Sequence, residues 1–346
     1  MHISDKYQVQ AILCGFMILL VCSHGYSQSD SRNPVRIMFY NAENLFDVFN
    51  DSLKEDDEFL PEGMMRWNSS RYEKKINSLY KTIVSAGEWS PPEVIAFCEV
   101  ENQKVLKDLI YGTYLSKYKY RIIHEESPDP RGIDVCLIYR DDCISVLDFK
   151  YLKPHTIDAN YFKTRTVLFL QMAVKSDTFY LIVNHWPSRR GGVLAAEDLR
   201  MEIASMVKQR VDSICRTKEG RTKILVIGDF NSTPDDKEMR ILKASIEGDE
   251  DLLINLSDPL AEEGKGTYKY RGTWEMIDQA LASGYFLSGR SGVYTDYKYV
   301  SIFSPDFLLV KDPVYPGLMP FSTYRGYKYS GGTSDHLPVL VKLYFR

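Results

Sequence analysis

Long hydrophobic runs are scarce in this chain of 346 residues. The run Ala11 to Ser23 (AILCGFMILLVCS) is too short to cross a bilayer comfortably. With Lys6 before it and the polar HGYSQSD after it, it fits the core of a signal peptide. Gly25 and Ser27 supply small residues for cleavage after Ser27, so the expectation is export to the periplasm or beyond. Cys22 offers a lipid anchor as a lesser alternative, but bulky Val21 precedes it. Cysteine is also sparse, at six. Two fall in the leader, and Cys98, Cys136, Cys143 and Cys215 show no zinc-site spacing. Cys98 and Cys136 sit inside apolar runs, where a free thiol behaves as a small hydrophobe. An exported chain permits a disulfide, yet none is specified. A basic excess is missing too: 43 Lys and Arg face 47 Asp and Glu, a formal charge of −4. Bulk charge therefore does not attract nucleic acid, which leaves only a local basic patch to do so. No P-loop, serine elbow or HExxH occurs, which removes the common NTPase, serine-hydrolase and zinc-peptidase readings. Repeats, low-complexity segments and interdomain linkers are absent, so residues 28–346 read as one domain.

What is present is core-forming material, 44% hydrophobic residues, arranged as apolar runs that end in polar groups. The plainest case is Lys223 to Pro234, KILVIGDFNSTP. Ile224 to Ile227 reads as a strand buried on both faces, although periodicity alone also admits a buried helix segment. Gly228 ends it, and Asp229 and Asn231 follow where the strand meets solvent. They read equally as turn formers or as groups holding a water or a phosphate oxygen. The same design recurs. Val35 to Tyr40 runs into Asn41-Ala42-Glu43-Asn44, and Val94 to Cys98 into Glu99 and Glu101. Phe179 to Val183 leads to Asn184-His185-Trp186-Pro187-Ser188-Arg189-Arg190-Gly191-Gly192. Arg189 and Arg190 suit a phosphate or an ordinary exposed basic pair. Strands are also expected over Tyr118–His124, Val135–Tyr139, Cys143–Leu152, Arg165–Val174 and Val339–Tyr344. Helical spacing marks Arg71–Gly87, the stretch from Asn102, and Leu199–Ile214. The acidic stretch Asp47 to Glu62 reads as a solvated excursion rather than a metal cluster. Asp278 lies inside the apolar run Ile277–Leu281, where an unpaired carboxylate is costly; His336, in Ser334-Asp335-His336-Leu337-Pro338, offers a partner.

Asn41, Glu43, Glu99, His185, Asp229, Asn231, Asp278, Asp335 and His336 thus stand at or near strand ends, able to share one rim. Glu99, with Glu43 and Asp335, offers hard oxygen ligands suited to Mg²⁺ or Mn²⁺. Asp229 offers a base for water. His185 and His336 offer charge for a phosphate, with Asp278 orienting His336.

The order YNAEN, CEVEN, NHWPSR, GDFNSTP, IDQ, SDHLP resembles the endonuclease/exonuclease/phosphatase superfamily, from residue 36 to the end. The resemblance implies an α/β (α+β) four-layered sandwich of two packed mixed or antiparallel sheets flanked by helices, and metal-dependent hydrolysis of phosphate esters. It also implies that Asn41 and Glu99 hold or surround the metal, with Asp335 in its shell. Asp229 becomes the base or water-positioning group, with Asn231 beside it. His185 matches the position that carries histidine in the deoxyribonuclease branch, and Asp278 and His336 form an acid–histidine pair. Cys98 stands where glutamine is commoner, Gln279 stands where an aromatic is usual, and Glu101 competes with Glu99 as ligand.

The leading expectation is an exported Mg²⁺- or Mn²⁺-dependent phosphodiesterase acting on DNA or RNA as a monomer, with no stable protein partner. The alternative on the same fold is hydrolysis of a lipid or small phosphate ester, of sphingomyelin or inositol type. A non-catalytic binding module is a third reading. A basic rim of Arg131, Arg189, Arg190 and Arg271 would favour nucleic acid, whereas an exposed apolar lip would favour lipid.

Overall fold

Val35–Leu45 (β1) is buried along nearly its whole length, and its two faces serve different cores. Ile37 and Phe39 enter one, Met38 and Tyr40 the other. A strand covered on both faces belongs inside a layered structure. The computed structural model describes residues 33–88, 90–154, 163–189, 193–217, 221–244 and 253–346. The leader and its cleavage after Ser27 lie outside the described residues, as does Arg190.

The other strands of the two main sheets are β2 (Val94–Val100), β3 (Tyr120–His124), β4 (Asp134–Arg140), β5 (Ser145–Leu152), β6 (Val167–Val174), β7 (Asp177–His185), β8 (Ile224–Asp229), β9 (Leu253–Asn255), β10 (Asp278–Ser283), β11 (Val293–Tyr294), β12 (Val300–Ile302) and β13 (Val339–Phe345). One sheet has the order β11-β13-β1-β2-β4-β3, with β12 also on β13; the other has the order β5-β6-β7-β8-β10-β9. Between them lie Phe39, Ala96, Leu137, Leu170, Leu181, Leu225, Ala280 and Val341. Helices α1 (Ser69–Ala86) and α2 (Gln103–Tyr111) cover the outer face of the first sheet through Ile76, Leu79, Ile83, Val105 and Leu109. Asn68 and Asn102 cap them, each side chain accepting a backbone N–H three residues on, a cap worth about 1 kcal/mol. Helices α3 (Val193–Thr217) and α4 (Lys237–Lys243) cover the second sheet through Ile203, Val207, Val211, Met239 and Leu242. The result is the four-layered α+β sandwich expected from the sequence. Among the described residues, no helix is long and apolar enough to cross a membrane, and Cys98, Cys136, Cys143 and Cys215 are free thiols.

Topology brings the strand ends to one edge. Only β1–β2 and β7–β8 are parallel among the pairs of the main sheets, and parallel strands end on the same side. Strand β10 runs antiparallel to β8 with Asp278 opposite Asp229, so its first residue meets β8's last. Strand β13 runs antiparallel to β1 with Val339 opposite Phe39, so the segment before it also arrives at that edge.

The acidic stretch after β1 is not simply solvated. Asp47 and Asp56 are buried, because their carboxylates accept backbone N–H groups of Phe49 and Asp51. Acids there satisfy a loop's orphan donors.

Candidate active site

Local backbone aims the polar groups. Left-handed φ occurs at eight non-glycine residues among those described, and four of them, Glu43 (49°), Asn44 (53°), Glu99 (58°) and Asn231 (49°), lie at the ends of β1, β2 and β8. Such conformations cost on the order of 1 kcal/mol or more each and gather where function requires them. The registers of β1 with β2 and of β2 with β4 shift at Asn41–Leu45 and Phe97–Val100. These irregularities turn Glu99 toward Asn41 and out of the strand's alternation.

Gly228 has a different task. It pairs with Asn184 across β7–β8, and a Cβ there would stand 2.3 Å from Asn184 O. Gly228→Ala must separate the two strands one residue before Asp229. We expect a loss of about 1–3 kcal/mol of stability and a fall in turnover, read by urea unfolding and rate on one preparation. Unchanged values would mean that the strands approach less closely than this.

A cleft of about 400 Å³ opens at this edge, lined by Asn44, Glu99, Arg131, Arg165, His185, Ser188, Arg189, Asp229, Asn231, Tyr268, Tyr270, Glu275, Ile277, Asp335 and His336. Asp229 is buried at its base. Its Oδ1 accepts the Asn231 N–H at 2.9 Å and its Oδ2 accepts Asn41 Nδ2–H at 3.0 Å. Burial, with Asp278 beside it, pushes its pKa up to about 7 against the opposing pull of His336. His336 Nδ1 lies 2.7 Å from Asp278 Oδ2, and its Nε2 lies 3.9 Å from Asp229 and 4.0 Å from Asp335. Burial opposes charge on that imidazole, but Asp278, Asp335 and Asp229 outweigh it and hold its pKa well above the ordinary value. Tyr268 faces the ring at 5.0 Å. His185 behaves oppositely: burial, then Arg165, Arg131 and His336, hold its pKa well below the ordinary value. Asn231 Nδ2 and Arg165 Nη2 both donate to Trp186 O, at 3.0 and 2.7 Å. The Trp186 and Phe230 rings meet edge to face at 4.8 Å, joining the NHWPSR and GDFNSTP segments.

The donor set fits a hard divalent cation in part. Glu99 and Asp335 both face the cleft. Asp335 is raised by burial and by the Glu99 charge, with His336 opposing, so a cation between the two would relieve their repulsion. Asn41 stands beside the Asp229 and Glu99 carboxylates. Its Oδ1 accepts the Glu43 N–H at 2.9 Å while its Nδ2 donates to Asp229 and, at 3.3 Å, to Glu99. It therefore ties Asp229 to Glu99. Both Glu43 oxygens accept backbone N–H groups, of Thr323 and Tyr324, and Glu43 is not among the residues lining the cleft. Glu101 Oε2 accepts the Asp47 N–H at 2.5 Å and does not line the cleft. Arg131 and Arg189 line it, whereas Arg271 stacks on Tyr270 at 5.2 Å beyond the lining. Arg189 Nε also donates to Asn231 O at 3.0 Å, and its guanidinium pairs with Asp236.

Two residues the sequence reading passed over support the site. Arg165 is taken up below. Lys75 of α1 is buried beneath it, donating to Glu43 O at 3.1 Å, Thr333 O at 2.5 Å and the Thr323 hydroxyl. A lysine on the apolar stripe of an otherwise core-facing helix was its one sequence signal. Lys75→Met leaves Glu43 O without its lysine donor while Thr333 O keeps the Thr323 hydroxyl at 3.3 Å, and we expect a loss of about 1–3 kcal/mol for the group left unpaired. Urea unfolding reads it; an unchanged midpoint would mean that water replaces the ammonium.

Arginines, a buried carboxylate, an imidazole and two further acids line one cleft, a set whose charges suit a phosphate ester. The chain belongs to the endonuclease/exonuclease/phosphatase family, which matches it over residues 36–344, and it is a metal-dependent phosphoesterase of that family. Solved structures share the fold. A humanized D. rerio TDP2 superposes with TM-score 0.56 at 13% identity, over 90% of this chain and 98% of that one. A Bacteroides vulgatus endonuclease/exonuclease/phosphatase gives 0.55 at 15%, over 91% and 100%. The human Nocturnin catalytic domain with bound sulfate gives 0.53 at 16%, over 90% and 95%. No curated protein matches the chain in sequence.

Proposed function

We propose that this enzyme is an exported phosphodiesterase that cleaves nucleic-acid strands by in-line attack of water. The observation that carries the reading is the placing of Arg131 and Arg189 in the same cleft as Asp229 and His336. Guanidinium groups hold phosphate oxygens in a fixed fork, and Tyr268 with half-exposed Tyr270 offers flat faces for bases. Asp229 takes the proton of the attacking water, its raised pKa matching neutral pH. Asn231 and Asn41 fix the carboxylate. His336, held charged by Asp278, stabilises the negative charge that builds on phosphorus oxygens. Glu99 and Asp335 are the residues that would hold Mg²⁺ or Mn²⁺, which when bound polarises the phosphoryl group. The leader is removed after Ser27, and residues 28–346 act as one monomeric domain.

A second reading has its own observation. The turn at 312–317 carries Val314, 76% exposed, and Tyr315, with Leu318 next to it. Lys269 donates to Pro316 O at 2.9 Å, which docks this turn on the ribbon bearing Tyr268 and Tyr270. That apolar lip supports a lipid phosphoester.

The deciding experiment is hydrolysis by purified residues 28–346 with Mg²⁺, Mn²⁺ or chelator. The substrates are plasmid DNA, RNA, sphingomyelin and an inositol phosphate, with Asp229→Ala as control. Metal-dependent nicking that the variant loses supports the nuclease; cleavage of sphingomyelin alone promotes the lipid reading and removes the first. Sequencing the N-terminus of the chain recovered outside the cytoplasm checks the leader.

A further inference from the structure

His185 stands between a guanidinium and two carboxylates. Arg165, 5% exposed, is fixed on three sides. Its Nη1 lies 3.1 Å from Asp129 Oδ2, its Nη2 donates to Trp186 O at 2.7 Å, and its Nε donates to His185 Nδ1 at 3.2 Å. On the far side of the ring, Nε2 is 3.8 Å from Glu99 Oε1 and 3.8 Å from Asp229 Oδ2.

A guanidinium has five N–H donors, no acceptor, and does not lose its proton in a protein. The ring nitrogen facing it must present a lone pair. In a neutral imidazole the single proton then lies on the other nitrogen. We propose that Arg165 is a positioning residue for phosphate-ester hydrolysis: it locks His185 into the Nε2–H tautomer and so makes it a neutral hydrogen-bond donor to the substrate's phosphate.

Three consequences follow from donor and acceptor counting alone. His185 cannot ligate a metal through Nε2 without moving its proton to Nδ1, where it would confront the Arg165 N–H. For the same reason it is not the imidazolium that protonates a leaving group, since both nitrogens would then be donors and the 3.2 Å bond would be lost. The charged imidazole of the cleft is left as His336. The two histidines, both within 4 Å of Asp229 Oδ2, are thereby separated in role by their partners, a carboxylate for one and a guanidinium for the other. Arg131, whose Nε lies 3.5 Å from Asp129 Oδ1, and Asp129 complete the set. The Pro/Gly turn Ser127–Asp134 carries the acid that holds Arg165 in place.

The proposal rests on the phosphoesterase reading for its role but not for its geometry, and the test separates the two. The protein is labelled with ¹⁵N-histidine and two-bond ¹H–¹⁵N spectra are recorded, with the His185 signals assigned by their loss in His185→Gln. Unprotonated Nδ1 and protonated Nε2 are expected across about pH 5.5 to 7.5, one unit either side of the ordinary histidine value. A doubly protonated ring, or a proton on Nδ1, overturns the proposal whatever the enzyme hydrolyses. Arg165→Met should release the ring into a mixture of tautomers and lower kcat/KM on bis(p-nitrophenyl) phosphate roughly 10- to 100-fold. Arg165→Lys, also a donor without an acceptor, should restore the Nε2–H form and part of the rate. A methionine variant that keeps both tautomer and rate also overturns it. If that variant does not fold, the wild-type spectrum still decides.

Discussion

Asp229→Ala is expected to lower kcat by about 10²- to 10⁴-fold, the span a positioned general base supplies. The carboxylate is the point on which the cleft converges. Asn41 and the Asn231 N–H hold its oxygens at 3.0 and 2.9 Å, and the two imidazoles approach at 3.8 and 3.9 Å. Its pKa near 7 keeps a fraction ionised at neutral pH that is still basic enough to accept a proton. Alanine leaves the Asn41 amide without one acceptor, an effect on stability of about 1–3 kcal/mol and far smaller than the effect on rate. Steady-state kinetics beside a urea melt separate the two. Near-normal turnover in a folded variant would take Asp229 out of the mechanism.

Glu99→Gln should raise the metal concentration needed for half-maximal rate by at least about 10- to 100-fold, which is what even a supporting contact to a metal ligand is worth. The substitution keeps shape and removes one charge. Asn44 N–H and Asn41 Nδ2 reach Glu99 at 2.9 and 3.3 Å, so a neutral amide can keep only one of them. Glu101→Gln is the control, because burial, with Asp47 and Asp56 nearby, pushes that carboxyl up to about 8 and its oxygen faces the Asp47 N–H. A metal titration that moves with Glu101 and not with Glu99 would reverse the assignment.

Much of this was legible before any coordinates, for a physical reason. A strand buried on both faces is a continuous apolar run, so its end is marked by the first polar residue, and that residue is where a rim begins. Asn41, Glu99, His185 and Asp229 were visible in this way, and the pairing of Asp278 with His336 followed from the cost of a lone buried acid. Arg165 and Lys75 were not visible. Arg165 is a charge at the margin of an apolar segment and Lys75 one within a helix, and the partners of both lie far along the chain: Asp129 and Trp186 for one, Thr323 and Thr333 for the other. Nothing local distinguishes Arg165 from a solvated residue, and the stripe position of Lys75 marks burial without naming a partner. Glu43 and Glu101 show the converse. They stand at strand ends like the others, yet backbone amides from other segments claim their oxygens.

The pairing of β1 with β13 also sets a clock. Asn41 is made early, while Asp335 and His336 lie just ahead of the strand that β1 needs as its antiparallel neighbour. A chain that has emerged only as far as residue 300 holds Asn41, Glu99, His185, Asp229 and Asp278 but lacks Asp335 and His336. The buried carboxylate Asp229 and its imidazole neighbour His336 thus come from segments that meet only when β1 takes β13 as its partner.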